Sequence, residues 1–224
     1  MSVIFREKID KAFLLRALPE LVAQLAHDLN NHLATVLGKS ELALILDDPG
    51  RYQPALSEIL DAGGSARCLV ADLQRVLSWG RNASEPVLFA EVLALATRLT
   101  LRRCERVGIA IATRPDPAAS GMVDDPAVLA LLCWTLLRAA LDEPPRGEEA
   151  WTLSGSASSG RISIVLQCPG IDWAPARSWF AARAVVSADA PSAHLERLAE
   201  GVDELAGSIG FIAGEARLEY PASR

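Results

Sequence analysis

A leucine recurs every fourth residue through the first long helical pattern of the chain, at Leu21, Leu25, Leu29 and Leu33. This spacing predicts an amphipathic helix with one apolar stripe, and such a stripe needs a core to cover it. His27 is two positions from both Leu25 and Leu29, so at about 3.6 residues per turn it falls on the opposite side. We therefore expect the imidazole of His27 to face water.

Two asparagines share the predicted surface of His27. Asn30 and Asn31 follow it by three and four residues, which places them one helical turn along the same face. Asparagine is a poor helix former in mid-helix, so its presence twice in succession favours a role at the surface over a role in packing. A water-facing imidazole with carboxamides in reach can accept and release a phosphoryl group. The pattern therefore makes His27 a candidate catalytic residue.

The first domain is predicted to be a helical hairpin within residues 1–82. One helical pattern covers about 11–45, a second covers about 52–79, and the Asp-Asp-Pro-Gly sequence at 47–50 is a strong stop and turn between them. Gly63-Gly64 interrupts the second pattern and is expected to bend or loosen it. A lone hairpin cannot cover its own apolar face, whereas two hairpins can form a four-helix bundle. We therefore expect a homodimer.

The second domain, residues 86–224, is predicted to be an α+β sandwich, a sheet with helices on one face. Pro126 is expected at the first position of a helix whose N-cap is Asp124 or Asp125. Asp172–Val186 is expected to be irregular. The predicted elements, in chain order, are a helix at 88–107, a strand at 108–113, a helix at 125–141, strands at 149–156 and 161–167, a helix at 192–206 and a final hairpin of strands at 208–213 and 215–220.

Composition narrows the class of protein. The 224 residues carry a formal net charge of −6 with no basic block, so nucleic acid is not an expected partner. No apolar run is long enough to cross a bilayer and no signal-peptide pattern begins the chain, so we expect a cytoplasmic protein with no membrane contact. The four cysteines lack CxxC or histidine spacing and are expected to be buried free thiols.

The segment from His27 to Leu33, read as His-Asp-Leu-Asn-Asn-His-Leu, resembles the phospho-acceptor helix of sensor histidine kinases. In that family a proline usually stands where this chain has His32, so no kink is expected here. A helical hairpin followed by an α+β domain is also the order of a kinase core. The resemblance implies that the second domain is an α/β sandwich of the Bergerat-like type that binds ATP in the kinases.

The groups that grip ATP in that family are missing from the matching positions of this chain. Ala139 stands where an asparagine would bind the magnesium of the nucleotide. Leu166 stands where an aspartate would read the adenine, and Cys168 replaces the first glycine of that motif. Ala193-His194-Leu195 replaces a Gly-x-Gly phosphate loop. The resemblance therefore implies a degenerate domain that does not hydrolyse ATP.

A kinase-like dimer with an acceptor histidine and a degenerate nucleotide site is similar to the bacterial histidine phosphotransferases of the ChpT type. That resemblance implies a phosphorelay role, in which His27 carries phosphoryl groups between the aspartates of response-regulator receiver domains. It implies no cofactor and no metal in this chain, because Mg²⁺ comes with the receiver. A hybrid histidine kinase is the other expected partner.

Roles for the neighbours of His27 follow from this hypothesis. Asp28 would orient the ring or take its other proton, and Asn31 would hydrogen-bond the transferring oxygens or position a water for phosphatase activity. The partner surface is expected around Ala23, Asn30, Asn31 and Ala34, where small residues let a receiver helix approach closely.

The sequence is also consistent with three alternative functions. These are an active kinase with divergent ATP motifs, a non-catalytic scaffold that binds kinases or receivers, and a dedicated phosphatase. His32 is expected to be structural, and His194 is expected at the surface. Trp173 and Trp179 belong either to a packed loop or to a docking surface.

Overall fold

Two long helices form the first third of the chain. In the computed structural model α1 spans Ser2–Leu46 and α2 spans Pro49–Arg81. Asp48 accounts for the turn: its carboxylate accepts the Gly50 N–H at 2.9 Å and its carbonyl accepts the Arg51 N–H at 3.0 Å. Both predicted helices are confirmed and are longer than expected, and α2 continues through Gly63-Gly64. The residues described by the structure are 2–46, 48–81, 86–115, 121–123, 125–142, 150–158, 161–182, 192–204, 207–212 and 214–220.

The buried face of α1 differs from the predicted leucine stripe. Leu21 and Leu25 are buried as expected, but the face then continues on Asp28 and His32, while Leu33 is 47% exposed. The reason is geometric. Each four-residue step overshoots a full turn by about 40°, so a stripe of such steps leaves the core, and the three-residue step from Leu25 to Asp28 brings the buried face back.

Contacts divide the chain into two units. One is Leu18–Leu77 of the hairpin, and the other joins Met1–Ala17 to Ser78–Arg224. Within the second unit, Arg16 pairs with Glu200 at 3.3 Å, and the buried ring of Phe13 packs against Gly201. Residues 83–85, which separate the two predicted domains, lie outside the described residues. The ranges 1–82 and 86–224 therefore remain a prediction.

The described strands of the second unit are β1 Val87–Leu88, β2 Ile111–Pro115, β3 Met122–Val123, β4 Trp151–Ser158, β5 Arg161–Gln167, β6 Ser208–Ile212 and β7 Glu215–Tyr220. Five of them form one sheet of order β2-β4-β5-β7-β6. β2 runs parallel to β4, and the other neighbours in this sheet are antiparallel. A separate two-stranded ribbon pairs β1 with β3.

Three helices pack together as a layer against this sheet: α3 (Phe89–Arg106), α4 (Pro126–Asp142) and α6 (Ala193–Glu204). α4 lies at the centre of the layer, since every residue from Pro126 to Leu141 is buried, as expected for a helix that is apolar on all sides. It begins at Pro126 as predicted, and the Asp125 carbonyl accepts the Leu129 N–H at 3.2 Å. Asp124, the alternative cap, lies outside the described residues. The predicted fold class, a helical hairpin followed by an α+β sandwich, is confirmed.

Three local predictions are wrong. The strand expected from Gly108 begins at Ile111, because Gly108 has a φ of +74° and terminates α3 with its N–H on the Glu105 carbonyl. The segment expected to be irregular contains a helix, α5 (Ala174–Ala182), whose first N–H is accepted by Asp172 at 2.9 Å. The part of that segment after Ala182 lies outside the described residues.

Cys68 is exposed rather than buried, while the other cysteines, Cys104, Cys133 and Cys168, are buried free thiols.

Candidate functional site

The candidate site lies on the exposed side of α1. His27 is exposed, and so are Ala23, Asn30, Asn31 and Ala34, at positions −4, +3, +4 and +7 from it. Residues at these offsets lie along one side of a helix. We call these five residues the His27 face. The structure therefore brings together five of the six predicted site residues on one accessible surface.

The His27 ring is available on that face. Among the described residues no hydrogen bond or ion pair engages it. The hydroxyl of Thr35 is turned back onto the helix, where it donates to the Asn31 carbonyl at 3.0 Å. A neutral imidazole nitrogen that is open to solvent is a competent nucleophile for an electrophilic phosphorus atom.

Asp28, the sixth predicted site residue, lies on a different side of the helix. It is only 3% exposed, and His32, one turn further on, is 5% exposed. Adjacent helical residues point about 100° apart, so the buried carboxylate of Asp28 does not share the surface on which His27 lies. The structure thus separates Asp28 from the other site residues, and its proton role stays a prediction. His32 is buried, in agreement with a structural role.

Three positions of the second unit at which the sequence resemblance implied nucleotide-binding residues carry other side chains. Ala139 and Leu166 are both fully buried, in α4 and β5 respectively. The thiol of Cys168 accepts the Nε1–H of Trp173 at 3.2 Å. Burial raises the pKa of Cys168 to about 12, although the Trp173 hydrogen bond acts in the opposite direction. Cys168 is therefore a neutral thiol at neutral pH, and none of the three side chains presents an anionic oxygen.

His194 is buried, so the prediction that it lies at the surface is wrong. It is 8% exposed, its Nδ1 lies 2.6 Å from Oδ2 of Asp142, and its Nε2 accepts the Nε–H of Arg138 at 3.4 Å. Burial alone would raise the pKa of the Asp142 carboxyl. Hydrogen bonds from His194 and Ser192 and the positive charge of Arg138 outweigh that effect, so the pKa of Asp142 lies below its ordinary value.

The ATP–Mg²⁺ group that the sequence resemblance implies does not fit the side chains found here. The matching positions carry an alanine and a leucine, and the carboxylate of Asp142 lies close to the first turn of α6, where it would repel a triphosphate. Within the described part of the chain no group of three or more His, Cys, Asp or Glu side chains is arranged to hold a metal ion.

Sequence reasoning missed the cluster of His194, Asp142 and Arg138. Asp142 and His194 are 52 residues apart, so no local pattern links them. The helix α5, in contrast, carried a local signal that could have found it: an acidic residue, Asp172, two positions before the first helical residue, followed by Pro175 in the first turn.

The chain is similar to several solved structures. A bacterial phosphotransferase of known structure aligns with 92% of this chain and 95% of its own, with a TM-score of 0.53 and 16% sequence identity. The histidine kinase AdeS of Acinetobacter baumannii aligns with 88% of this chain and 97% of its own, with a TM-score of 0.43 and 17% identity. A histidine kinase of Burkholderia phymatum aligns with 89% of this chain and 97% of its own, with a TM-score of 0.42 and 16% identity.

No protein-family model and no curated protein matches the chain. At these identities the structural similarity concerns the fold. The fold, a helical hairpin followed by an α/β domain, is similar to that of the bacterial phosphotransferase. No helix among the described residues is both long and apolar enough to span a bilayer.

Proposed function

We propose that this protein is a histidine phosphotransferase that relays phosphoryl groups between receiver-domain aspartates through a phosphohistidine at His27. The observation that carries the proposal is an exposed, unengaged His27 ring on the hairpin of a kinase-like fold, as judged over the described residues. The unsuitable side chains at the nucleotide positions, Ala139 and Leu166, support phosphate entry from a receiver and not from ATP. The ChpT type of dimeric phosphotransferase is the class that this combination best matches.

The proposed reaction is a reversible in-line displacement. A ring nitrogen of His27, in our proposal Nε2, attacks the phosphorus of a receiver acyl phosphate. The N–P bond forms, the P–O bond to the aspartate breaks, and the carboxylate leaves with the bonding electrons. The phosphoimidazole then donates to the aspartate of a second receiver by the same step in reverse. Mg²⁺ belongs to the receiver in this scheme and neutralises the phosphoryl oxygens.

Two neighbours assist in this proposal. Asn31 lies one turn from His27 on the same exposed face, so its carboxamide is suited to donate hydrogen bonds to the phosphoryl oxygens during transfer. Asp28 is 3% exposed, and its proposed role is to orient the His27 ring or to take its other proton. Asn30, Ala23 and Ala34 then form the partner surface, on which small or polar side chains allow a receiver helix close access.

We further propose that the protein acts as a homodimer whose hairpins form a four-helix bundle. Many large apolar side chains of the hairpin are exposed in one chain, which is unusual for a stable monomer. On α1 the exposed residues Leu33, Leu37 and Leu44 are separated by four and seven residues, and on α2 Leu56 and Leu60 are separated by four, which is the spacing of a helix face covered by other helices. Further exposed apolar side chains of the hairpin are Leu15, Val22, Leu42, Ile45 and Val70. Light scattering of the purified protein tests this proposal, and a monomer at micromolar concentration would contradict it.

The proposed partners are response-regulator receivers and a hybrid histidine kinase, and the proposed location is the cytoplasm. The function is tested by incubating the protein with a panel of purified, ³²P-labelled receiver domains. We expect at least one receiver to transfer label to the wild-type chain and none to label His27→Ala. His194→Gln is the matched control, since it removes a histidine that lies outside the proposed site. Equal labelling of wild type and His27→Ala would contradict the proposal.

Phosphatase activity is the second candidate, favoured by the exposure of Asn31 beside His27. In that reaction the Asn31 carboxamide positions a water that hydrolyses the receiver phosphate, and no phosphohistidine forms. The two candidates predict opposite orders of effect. The assay measures the release of inorganic phosphate from a phosphorylated receiver. If the protein acts by phosphotransfer, His27→Ala should lower this rate more than Asn31→Ala does. If it acts as a phosphatase, Asn31→Ala should lower the rate more.

A further inference from the structure

A polar cluster joins α4 to the first turn of α6. Trp134, Arg138 and Asp142 follow one another at four-residue intervals on α4, so they lie along one side of that helix. His194 of α6 contacts all three: it pairs with Asp142 at 2.6 Å, accepts from Arg138 at 3.4 Å, and meets the Trp134 ring edge-on at 6.3 Å between centroids. We call these four residues the α4–α6 cluster.

The hydrogen bonds of the cluster fix the state of the His194 ring. Arg138 can only donate, so Nε2 of His194 must be the acceptor. The ring proton is therefore on Nδ1, where it is donated to the Asp142 carboxylate. Both ring nitrogens are engaged and the residue is 8% exposed, which leaves no lone pair for chemistry with a solvent-borne substrate.

The carboxylate of Asp142 also lies close to the beginning of α6, because its partner His194 is the second residue of that helix. The hydroxyl oxygen of Ser192 accepts the Leu195 N–H at 3.2 Å, and the Ser192 carbonyl accepts the Glu196 N–H at 3.2 Å. Ser192 is thus the N-cap of a twelve-residue helix. A helix N-terminus carries partial positive charge and favours an anion beside it. Here the anion is a side chain of the chain itself.

We propose that the Asp142 carboxylate is an internal substitute for a bound phosphate, which holds the first turn of α6 against α4 and closes that place to external anions. This inference rests on the proposed loss of nucleotide binding, but it does not depend on transfer through His27. In this arrangement His194 bonds to the Asp142 carboxylate and Arg138 bonds to His194, so both side chains are engaged within the protein. The domain therefore keeps the α4–α6 contact without a ligand, and its structure does not depend on nucleotide.

The state of the ring is tested directly by long-range ¹H–¹⁵N NMR of the full chain labelled in its histidines. The chain has three histidines, so the spectrum is simple, and His194→Gln identifies the signal by its loss. We expect wild-type His194 in the Nδ1–H form and a changed ring pattern in Asp142→Asn. An Nε2–H form in the wild type, or an identical pattern in Asp142→Asn, would overturn the proposal.

The occupied anion site is tested with inorganic phosphate at constant ionic strength. We expect the Tm of the wild type to be unaffected, the Tm of Asp142→Ala to be lower by about 4 °C, and phosphate to restore about half of that loss. Glu105→Ala is the matched control, because it removes an exposed carboxylate from the same domain, and its Tm should not respond to phosphate.

Two results of the phosphate experiment would contradict the inference: a wild type stabilised by phosphate as much as Asp142→Ala, or an Asp142→Ala variant that phosphate does not stabilise. If that variant does not fold, the NMR measurement on the wild type and Asp142→Asn decides the question. Neither readout involves His27, so a failure here is distinct from a failure of the phosphotransfer proposal.

Discussion

His27 and His194 show how the same side chain is given opposite properties by two regions of one molecule. His27 lies on the exposed side of α1, and over the described residues its ring has no partner. His194 is buried between α4 and α6, with Asp142 on one ring nitrogen and Arg138 on the other. The availability of the ring nitrogens, and not the presence of a histidine, therefore separates the reactive candidate from the structural one.

The largest expected effect is the loss of phosphotransfer in His27→Ala. Removal of the nucleophile should lower the rate of label transfer from a phosphorylated receiver at least about 100-fold, because the phosphohistidine intermediate cannot form. The free energy of unfolding should change by less than about 0.5 kcal/mol, as is usual for an exposed site. Transfer assays quenched at timed intervals measure the rate, and urea denaturation measures the free energy of unfolding. A large loss of stability without loss of transfer would contradict the contrast between a reactive His27 and a structural His194.

His194→Ala should give the reverse result. It leaves Asp142 and Arg138 without their shared partner in a largely buried site, which we expect to cost about 2 kcal/mol of unfolding free energy. Transfer to His27 should be unchanged at a temperature where the variant is folded. Urea denaturation followed by circular dichroism checks the first statement. An unchanged midpoint would show that the cluster contributes nothing to stability.

The next effect is on receiver affinity. Ala34→Arg places a long charged side chain on the His27 face and should weaken receiver binding about tenfold, equivalent to about 1.4 kcal/mol. Glu41→Lys is the control, since it changes charge at an exposed position further along α1. Lys39→Glu is a less clean control, because Lys39 pairs with Glu58 at 2.5 Å. Equal losses of affinity in Ala34→Arg and Glu41→Lys, measured by calorimetry, would show that the predicted partner surface is misplaced.

The smallest effect concerns acid stability. The pKa of Asp142 is lowered in the folded state from its ordinary value of 3.8, so its contribution to stability is present above about pH 4 and is lost as the pH falls through the folded pKa. Asp142→Asn should therefore flatten the acid side of the stability curve. The effect is small because this carboxylate keeps solvent contact. Urea midpoints from pH 3 to pH 6 measure it, and parallel curves for the two proteins would contradict the prediction.

Local periodicity was sufficient to predict most of the fold. The bounds of β5 and β7 are those predicted, and α3, α4 and α6 agree to within two residues at each end that the structure describes. The register of α1 was the main error, because a stripe of four-residue steps drifts around the helix, and the core takes Asp28 and His32 in place of Leu29 and Leu33. Because Asp28 and His32 are polar, a search for apolar periodicity does not assign them to the buried face of α1.

The exposure of a histidine could be predicted from the sequence where it depends on residue spacing within one helix. It could not be predicted where it depends on contacts with a second helix. The exposure of His27, Asn30 and Asn31 follows from their spacing relative to Leu21 and Leu25, and the structure agrees. The burial of His194 was missed because its partners come from α4, more than fifty residues earlier in the chain. A lone histidine at a helix start has no sequence feature that distinguishes a surface position from a buried pair.

The most direct test of the account is the source and position of the phosphoryl group. The protein is incubated in parallel with Mg²⁺ and γ-labelled ATP, and with a phosphorylated receiver, and the label is mapped by mass spectrometry. Trypsin yields the peptide 17–39, which contains both His27 and His32, so fragment ions must assign the site. We predict label on His27 from the receiver and none from ATP. Label on the chain from ATP alone, or label from the receiver on a residue other than His27, would contradict the account.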